Sequence, residues 1–252
     1  MAITYDFAGR VALVTGGTKG IGLGIAQALA AEGVRVAVAS RSGERAEQVG
    51  AELGGAGFAF DSADLDAVEP LIDAAEDALG PIDIYVPNTG GPPAGDDPLG
   101  FSREQWEAAH RTLVLSPMLF LARLVPGMRE RRFGRVVLVA SSAVREPIDN
   151  LQLSNAHRPG MLAAFKVLAR QAGKDGVTFN TLLPGRIATD RLIGTQGSRE
   201  AAEEAARDTT AVGRLGTAEE MGAAAAFLCS RQAGYITGTT ILVDGGLTSS
   251  LA

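Results

Sequence analysis

Cysteine, histidine and tyrosine are scarce in this 252-residue chain, which holds one, two and three of them. A lone cysteine excludes a disulfide within the chain, and Cys229 sits in an apolar helical run that marks it as a buried, inert thiol. No metal site is read from the chain. Basic residues are not in excess either: the formal net charge is -6 and the isoelectric point about 5.1. That balance offers no field to attract nucleic acid or an anionic membrane, and a small-molecule substrate fits it better. Aromatic residues make up only 5%, so the core is built on Val, Ile, Leu and Ala. No apolar run reaches the roughly 18 residues of a membrane span, and Met1 to Phe7 has neither a basic leader nor an apolar centre. A cytoplasmic protein with one domain over residues 1–252 is expected.

Against these absences stands one rich stretch, Val11 to Gly22, reading Val-Ala-Leu-Val-Thr-Gly-Gly-Thr-Lys-Gly-Ile-Gly. An apolar strand enters a glycine loop, and the loop opens a helix near Ile21. Gly16, Gly20 and Gly22 let the backbone turn sharply and approach a ligand, while the helix N-terminus offers free N–H groups and a positive dipole to a diphosphate. Ile21, Ile25 and Leu29 follow at helical spacing, and Gly33 closes the helix before the next apolar run.

Strand and helix patterns alternate along the whole chain. Strands are expected at 11–14, 34–39, 58–60, 82–86, 136–140, 177–183 and 241–243, with helices in the gaps. This order specifies an α/β fold, a single-domain Rossmann-type doubly wound parallel sheet of about seven strands with helices on both faces. Thr217 and Glu220 form a capping box ahead of a helix. Two long stretches, 90–100 and 186–198, read as irregular, and the substrate loops are placed at about 90–100 and 186–212. Both follow strand ends and overhang the carboxyl edge of the sheet, where such folds bind ligands.

With its glycine loop in the form Thr-Gly-x-x-x-Gly-x-Gly, the chain resembles the short-chain dehydrogenase/reductase family over essentially its full length. Pro87-Asn88-Thr89-Gly90 resembles the family's Asn-Asn-Ala-Gly. Asn180, Pro184-Gly185 and Thr189 resemble its Val-Asn…Pro-Gly…Thr segment, and Tyr235 to Gly238 with Val243 to Gly246 resembles the C-terminal signature of 3-oxoacyl carrier-protein reductases. The resemblance implies a nicotinamide dinucleotide held by Gly16, Thr18, Lys19, Gly20, Ile21, Gly22, Asp61, Asn88, Gly90, Arg158, Pro184, Gly185, Ile187 and Thr189. It also implies a homo-oligomer, tetramer or dimer, associating through 217–246. After the second strand the chain reads Ala39-Ser40-Arg41-Ser42, without the acid that would bind a ribose hydroxyl. Arg41 and Lys19 suit a 2′-phosphate, so NADP(H) is favoured over NAD(H).

The catalytic positions depart from the family, which uses Ser, Tyr, Lys and Asn. Ser141 stands in the serine's place. Where the family has Tyr-x-x-x-Lys the chain has Ser154-Asn155-Ala156-His157-Arg158, and Leu113 replaces the asparagine. An aliphatic hydroxyl is far less acidic than a phenol, and arginine keeps its proton near neutrality. The usual proton pair is therefore missing, whereas Arg158 still brings positive charge to an oxyanion. His157 is a candidate proton donor, with the loop acids Glu146 and Asp149 behind it. Tyr5, Tyr85 and Tyr235 are poorly placed to substitute. Pro117, four residues after Leu113, would free the Leu113 carbonyl for a relay water if the helix is continuous.

The function expected is oxidoreduction of a carbonyl or alcohol with NADP(H), with Ser141, Ser154, Arg158 and His157 at the catalytic site. The alternatives are a non-redox isomerase, cyclase or lyase on the same scaffold, and a nucleotide-binding protein without catalysis.

Overall fold

The computed structural model describes residues 5–7 and 9–250. Seven parallel strands form one sheet: β1 Val11–Thr15, β2 Arg35–Ser40, β3 Ala56–Ala59, β4 Ile84–Val86, β5 Gly134–Val139, β6 Val177–Pro184 and β7 Thr240–Val243, in the order β3-β2-β1-β4-β5-β6-β7. The helices between them are α1 Gly20–Ala31, α2 Gly43–Glu52, α3 Val68–Leu79, α4 Arg103–His110, α5 Ser116–Glu130, α6 Gln152–Ala172, α7 Asp190–Gln196, α8 Arg199–Thr209 and α9 Ala218–Cys229.

Alternation along a strand sends successive side chains to opposite faces, and both faces here are apolar. Val11 and Leu13 of β1 join a core with Leu71 and Ile72 of α3, Phe120 and Leu124 of α5, and Phe165 of α6. Ala12 and Val14 point the other way, into a core with Ile25 and Leu29 of α1 and Met221, Leu228 and Cys229 of α9. Thr217 and Glu220 make the expected capping box at the start of α9, and Cys229 is buried.

Three expectations need correction. Strand bounds shift: the third and fifth strands begin two residues early, at Ala56, which pairs with Ala37 of β2, and at Gly134, which pairs with Val177 of β6, while the fourth begins two residues late, at Ile84. Residues 186–212 are not an open loop. They fold into α7, capped by Thr189 accepting from Leu192, and α8, capped by Ser198 accepting from Ala201, with Ala202 and Ala206 one turn apart and buried. The helix through Leu113 is not a regular α-helix. Residues Arg111–Leu115 form a π-turn in which the Ser116 N–H donates to the Arg111 carbonyl. Pro117 lacks the N–H that either register requires next, which accounts for the irregular turn at this position.

The stretch Arg103–Glu130, spanning α4, the π-turn and α5, is 28 residues long and apolar enough by length and composition to cross a membrane. Its apolar side is committed elsewhere: Phe120, Leu121, Leu124 and Met128 are buried in the sheet core.

Candidate active site

Chain order reverses between β1 and β4, so the loops leaving these neighbouring strands diverge and open a crevice at the carboxyl edge. Gly16 takes φ +61° at the end of β1, and a β-carbon there would lie 2.5 Å from the Asn88 carbonyl oxygen. On Gly22, in the first turn of α1, a β-carbon would lie 2.2 Å from the Gly16 carbonyl oxygen. Asn88 clamps the loop: its Nδ2 donates to the Thr15 and Gly16 carbonyls at 3.3 and 3.1 Å, and its N–H donates to Thr15 Oγ1 at 3.1 Å. No side chain caps α1 and no acid lies in its first turn, so nothing among the described residues competes with an anion for that terminus. The open helix terminus and the glycine-lined approach to it fit a dinucleotide diphosphate.

Around the cradle, Thr18 is buried, whereas Lys19, Arg41 and Asp61 are exposed. Neither Lys19 nor Arg41 forms an ion pair among the described residues. Asp61 Oδ1 accepts from the Ala63 N–H at 2.9 Å, which shapes the turn after β3. Gly90 is exposed with open space over its α-carbon. Gly185 lies against Asp244, Ile187 is buried and bridges to Gly216, and the methyl of Thr189 faces Gly20. Pro184 ends β6. Asn180 ties β6 to the C-terminal segment, donating to the Ile236 carbonyl at 2.8 Å.

The next strand carries the catalytic candidates. Ser141 follows the end of β5, and its Oγ accepts from the Ala143 N–H at 3.2 Å, leaving the hydroxyl proton to donate. Ser154 and Arg158 lie one turn apart on α6 and both are buried. Arg158 Nε donates to Ser154 Oγ at 3.0 Å, and Nη1 donates to the Val139 carbonyl at 3.1 Å, two residues before Ser141. Nη2 has no protein acceptor among the described residues and is not sealed from solvent. Burial lowers the Arg158 pKa to about 10, with a further push from the Arg191 charge. Leu113, at the π-turn, is buried and apolar.

His157 is not brought to this group. Its Nδ1 lies 2.7 Å from the Leu153 carbonyl, which requires the proton on that nitrogen. The ring packs against Trp106 and His110 at 5.6 and 5.7 Å, on the side of α6 that faces α4. Three positions along a helix is enough to turn a side chain to a different neighbour. Glu146 is engaged with the Ser249 and Ser250 N–H groups at 2.7 and 2.6 Å, and Asp149 is exposed. Tyr85 is buried under Phe120 and its phenol is pushed far above the ordinary range by desolvation. Tyr235 is fully exposed, and Tyr5 packs on Phe7 and Phe227.

One residue of this region escaped the sequence reading. Arg191, in the first turn of α7, lays its guanidinium over Gly91, where a β-carbon would meet Nη1 and Nη2 at 2.5 Å. Its Nη2 donates to the Pro92 carbonyl at 3.1 Å. The usable signal was an arginine two residues after Thr189, facing a loop whose Gly90-Gly91 pair leaves room for a flat side chain.

An α/β sheet with a glycine cradle at its switch point, Ser141 past the end of β5 and a Ser154–Arg158 pair on α6 defines a dinucleotide-linked oxidoreductase scaffold. The family described as "Enoyl-(Acyl carrier protein) reductase" matches residues 16–248. The 3-oxoacyl-[acyl-carrier-protein] reductase FabG of Haemophilus influenzae is 34% identical over 243 residues, covering 95% of this chain and 98% of that protein. Human dehydrogenase/reductase SDR family member 4 is 34% identical over 251 residues, covering 97% of this chain and 89% of that one. The structure of L-sorbose reductase from Gluconobacter frateurii, complexed with NADPH and L-sorbose, superposes with a TM-score of 0.90 at 27% identity, covering 99% and 100% of the two chains. The chain belongs to the short-chain dehydrogenase/reductase family.

Proposed function

We propose that the protein is an NADP(H)-dependent oxidoreductase that interconverts a carbonyl and an alcohol without a tyrosine acid. The observation that carries this reading is the placing of two built features at the same edge of the sheet. One is the cradle after β1, clamped by Asn88 after β4, and the other is Ser141, two residues past the Val139 carbonyl that pins the Arg158 guanidinium. Bound NADPH supplies the hydride that the carbonyl carbon accepts. Ser141 donates a hydrogen bond to the substrate oxygen, and Nη2 of Arg158 faces the negative charge that develops there. Water delivers the proton, because His157 faces α4 and Ser154 is too weak an acid. We take the N–H that Pro117 lacks as leaving a carbonyl of the Arg111–Leu115 turn to hold such a water. Mixing protein, NADPH and a carbonyl panel tests the reading, with sustained NADPH oxidation expected. Substrate turnover with NADPH unchanged would instead support a non-redox isomerase, cyclase or lyase, a reading favoured by the lack of a tunable proton pair.

The coenzyme preference rests on Arg41 and Lys19, two unpaired cations at the end of β2 and the start of α1, and on NADPH in the L-sorbose reductase complex. By calorimetry NADPH is expected to bind about 10-fold or more tightly than NADH, as charge-assisted contacts to a phosphate imply. Arg41→Ala should erase most of that difference, and equal affinities in the unaltered protein would refute the preference.

A pH profile follows from the same geometry. Arg158 must be protonated to face an oxyanion, and its pKa is lowered to about 10 by burial. The rate of reduction, measured at saturating substrate, is expected to stay level from about pH 6 to 9 and to fall as the pH rises through about 10. A rate that stays level well above pH 10 would overturn that role for Arg158.

A further inference from the structure

We propose that the substrate of this site carries a carboxylate, which Arg191 binds while Arg158 faces the reacting oxygen. The inference rests on the site assignment above and deepens it. Three neighbouring strand ends supply the parts: Gly91 and Pro92 follow β4, Val139 ends β5 and Arg191 follows β6. Arg158 is held by Val139 and Ser154, and Arg191 by the Pro92 carbonyl and the flat face of Gly91. The two cations lie near enough that Arg191 depresses the Arg158 pKa, and desolvation lowers that of Arg191 as well.

Neither guanidinium has a carboxylate partner among the described residues. The acids in the surrounding loops are otherwise engaged or exposed: Glu146 accepts from Ser249 and Ser250, Asp97 from Leu99, and Asp149 and Asp190 face solvent. Placing two like charges together with no counter-charge is unfavourable, and a dianion-like demand at one site is what relieves it. A neutral carbonyl compound supplies only the developing oxyanion, which engages Arg158. A carboxylate on the same molecule supplies the second charge, held by charge-assisted hydrogen bonds from the Arg191 N–H groups that the Pro92 carbonyl does not use. The loop bearing Gly91 is tied at its far end, where the Gly95 N–H donates to the Asn150 carbonyl at 3.0 Å, just before α6, the helix that carries Arg158.

The test is calorimetric titration of the full chain, loaded with NADP⁺, with 2-oxo, 4-oxo and 5-oxo carboxylic acids and the corresponding amides, which are neutral and nearly isosteric. At least one acid is expected to bind about 10- to 100-fold more tightly than its amide, the range of a charge-assisted hydrogen-bonded pair. Arg191→Gln should bring that ratio close to 1, and Arg191→Lys should keep part of it, with NADP⁺ affinity retained in both. Equal binding of acid and amide, no acid binding at millimolar concentration, or an acid preference that survives in Arg191→Gln would each overturn the proposal. So would a loss of NADP⁺ affinity in Arg191→Gln with the acid-to-amide ratio unmoved, because it would assign Arg191 to the coenzyme diphosphate. Failure of the redox reading shows separately, as NADPH that stays reduced while the acid still binds.

Discussion

Gly22→Ala is expected to abolish measurable NADPH binding, lowering affinity by about 100-fold or more. The added methyl would lie 2.2 Å from the Gly16 carbonyl oxygen and 2.5 Å from Asn88 Nδ2. The first contact is with backbone, so no rotamer change can relieve it, and the loop must move by roughly 1 Å, a displacement that costs on the order of 100-fold where geometry is critical. The same shift breaks the Asn88 clamp on Thr15 and Gly16. Calorimetry with NADPH gives the affinity, and thermal unfolding reports the cost to the fold, expected at about 1–3 kcal/mol for overpacking. Gly160→Ala is the matched control. That glycine lies in α6 with open space around it, and alanine there should stabilise by up to about 1 kcal/mol on helix propensity alone. Retained NADPH binding in Gly22→Ala would show that the cradle is not the coenzyme site.

How much of this was legible in the sequence depends on the length scale of the signal. The strands of the sheet centre were readable because each is buried on both faces and reads as an unbroken apolar run, and the glycine loop because only glycine fits its contacts. The helices α7 and α8 were not recognised, since α8 is a short, charged segment whose burial is confined to Ala202 and Ala206. Alanine carries little hydrophobic contrast, so the periodicity is faint. The π-turn was signalled by Pro117 but not resolved, because a missing donor can be accommodated by a kink, a water or a change of helical register. His157 illustrates the limit for side chains: its spacing from Ser154 left its direction open, and only the packing of α6 on α4 turned it toward Trp106. Arg191 was missed because its neighbour, Gly91, is 100 residues away in the chain and meets it through the order of the strand ends, so the arginine after Thr189 had no visible partner.

Arg158→Met is expected to lower kcat/KM about 100- to 1,000-fold, the usual consequence of removing one donor that stabilises an oxyanion, while global stability moves by between about 1 kcal/mol of gain and about 3 kcal/mol of loss. The stability effect is the difference of two opposed terms. A guanidinium whose pKa falls to about 10 on folding is disfavoured in its charged form. It therefore costs stability at every pH below about 10, by an amount on the order of 3 kcal/mol, and the cost fades as pH rises above 10 toward the ordinary arginine range, where the unfolded chain holds the proton more tightly. Against that, methionine leaves the Val139 carbonyl and Ser154 Oγ without their present donor, at about 1–3 kcal/mol for each group that stays buried and unpaired. A purely structural arginine would behave differently, with loss of its hydrogen bonds unfolding the protein while any residual activity tracked the folded fraction. Arg158→Lys separates charge from shape. Lysine starts near pKa 10.4, and the same burial and the same Arg191 repulsion lower it further, so the alkaline limit of activity should move from about pH 10 to well below it. A pH profile of Arg158→Lys that matched the unaltered enzyme would show that the charge at this position takes no part in the reaction.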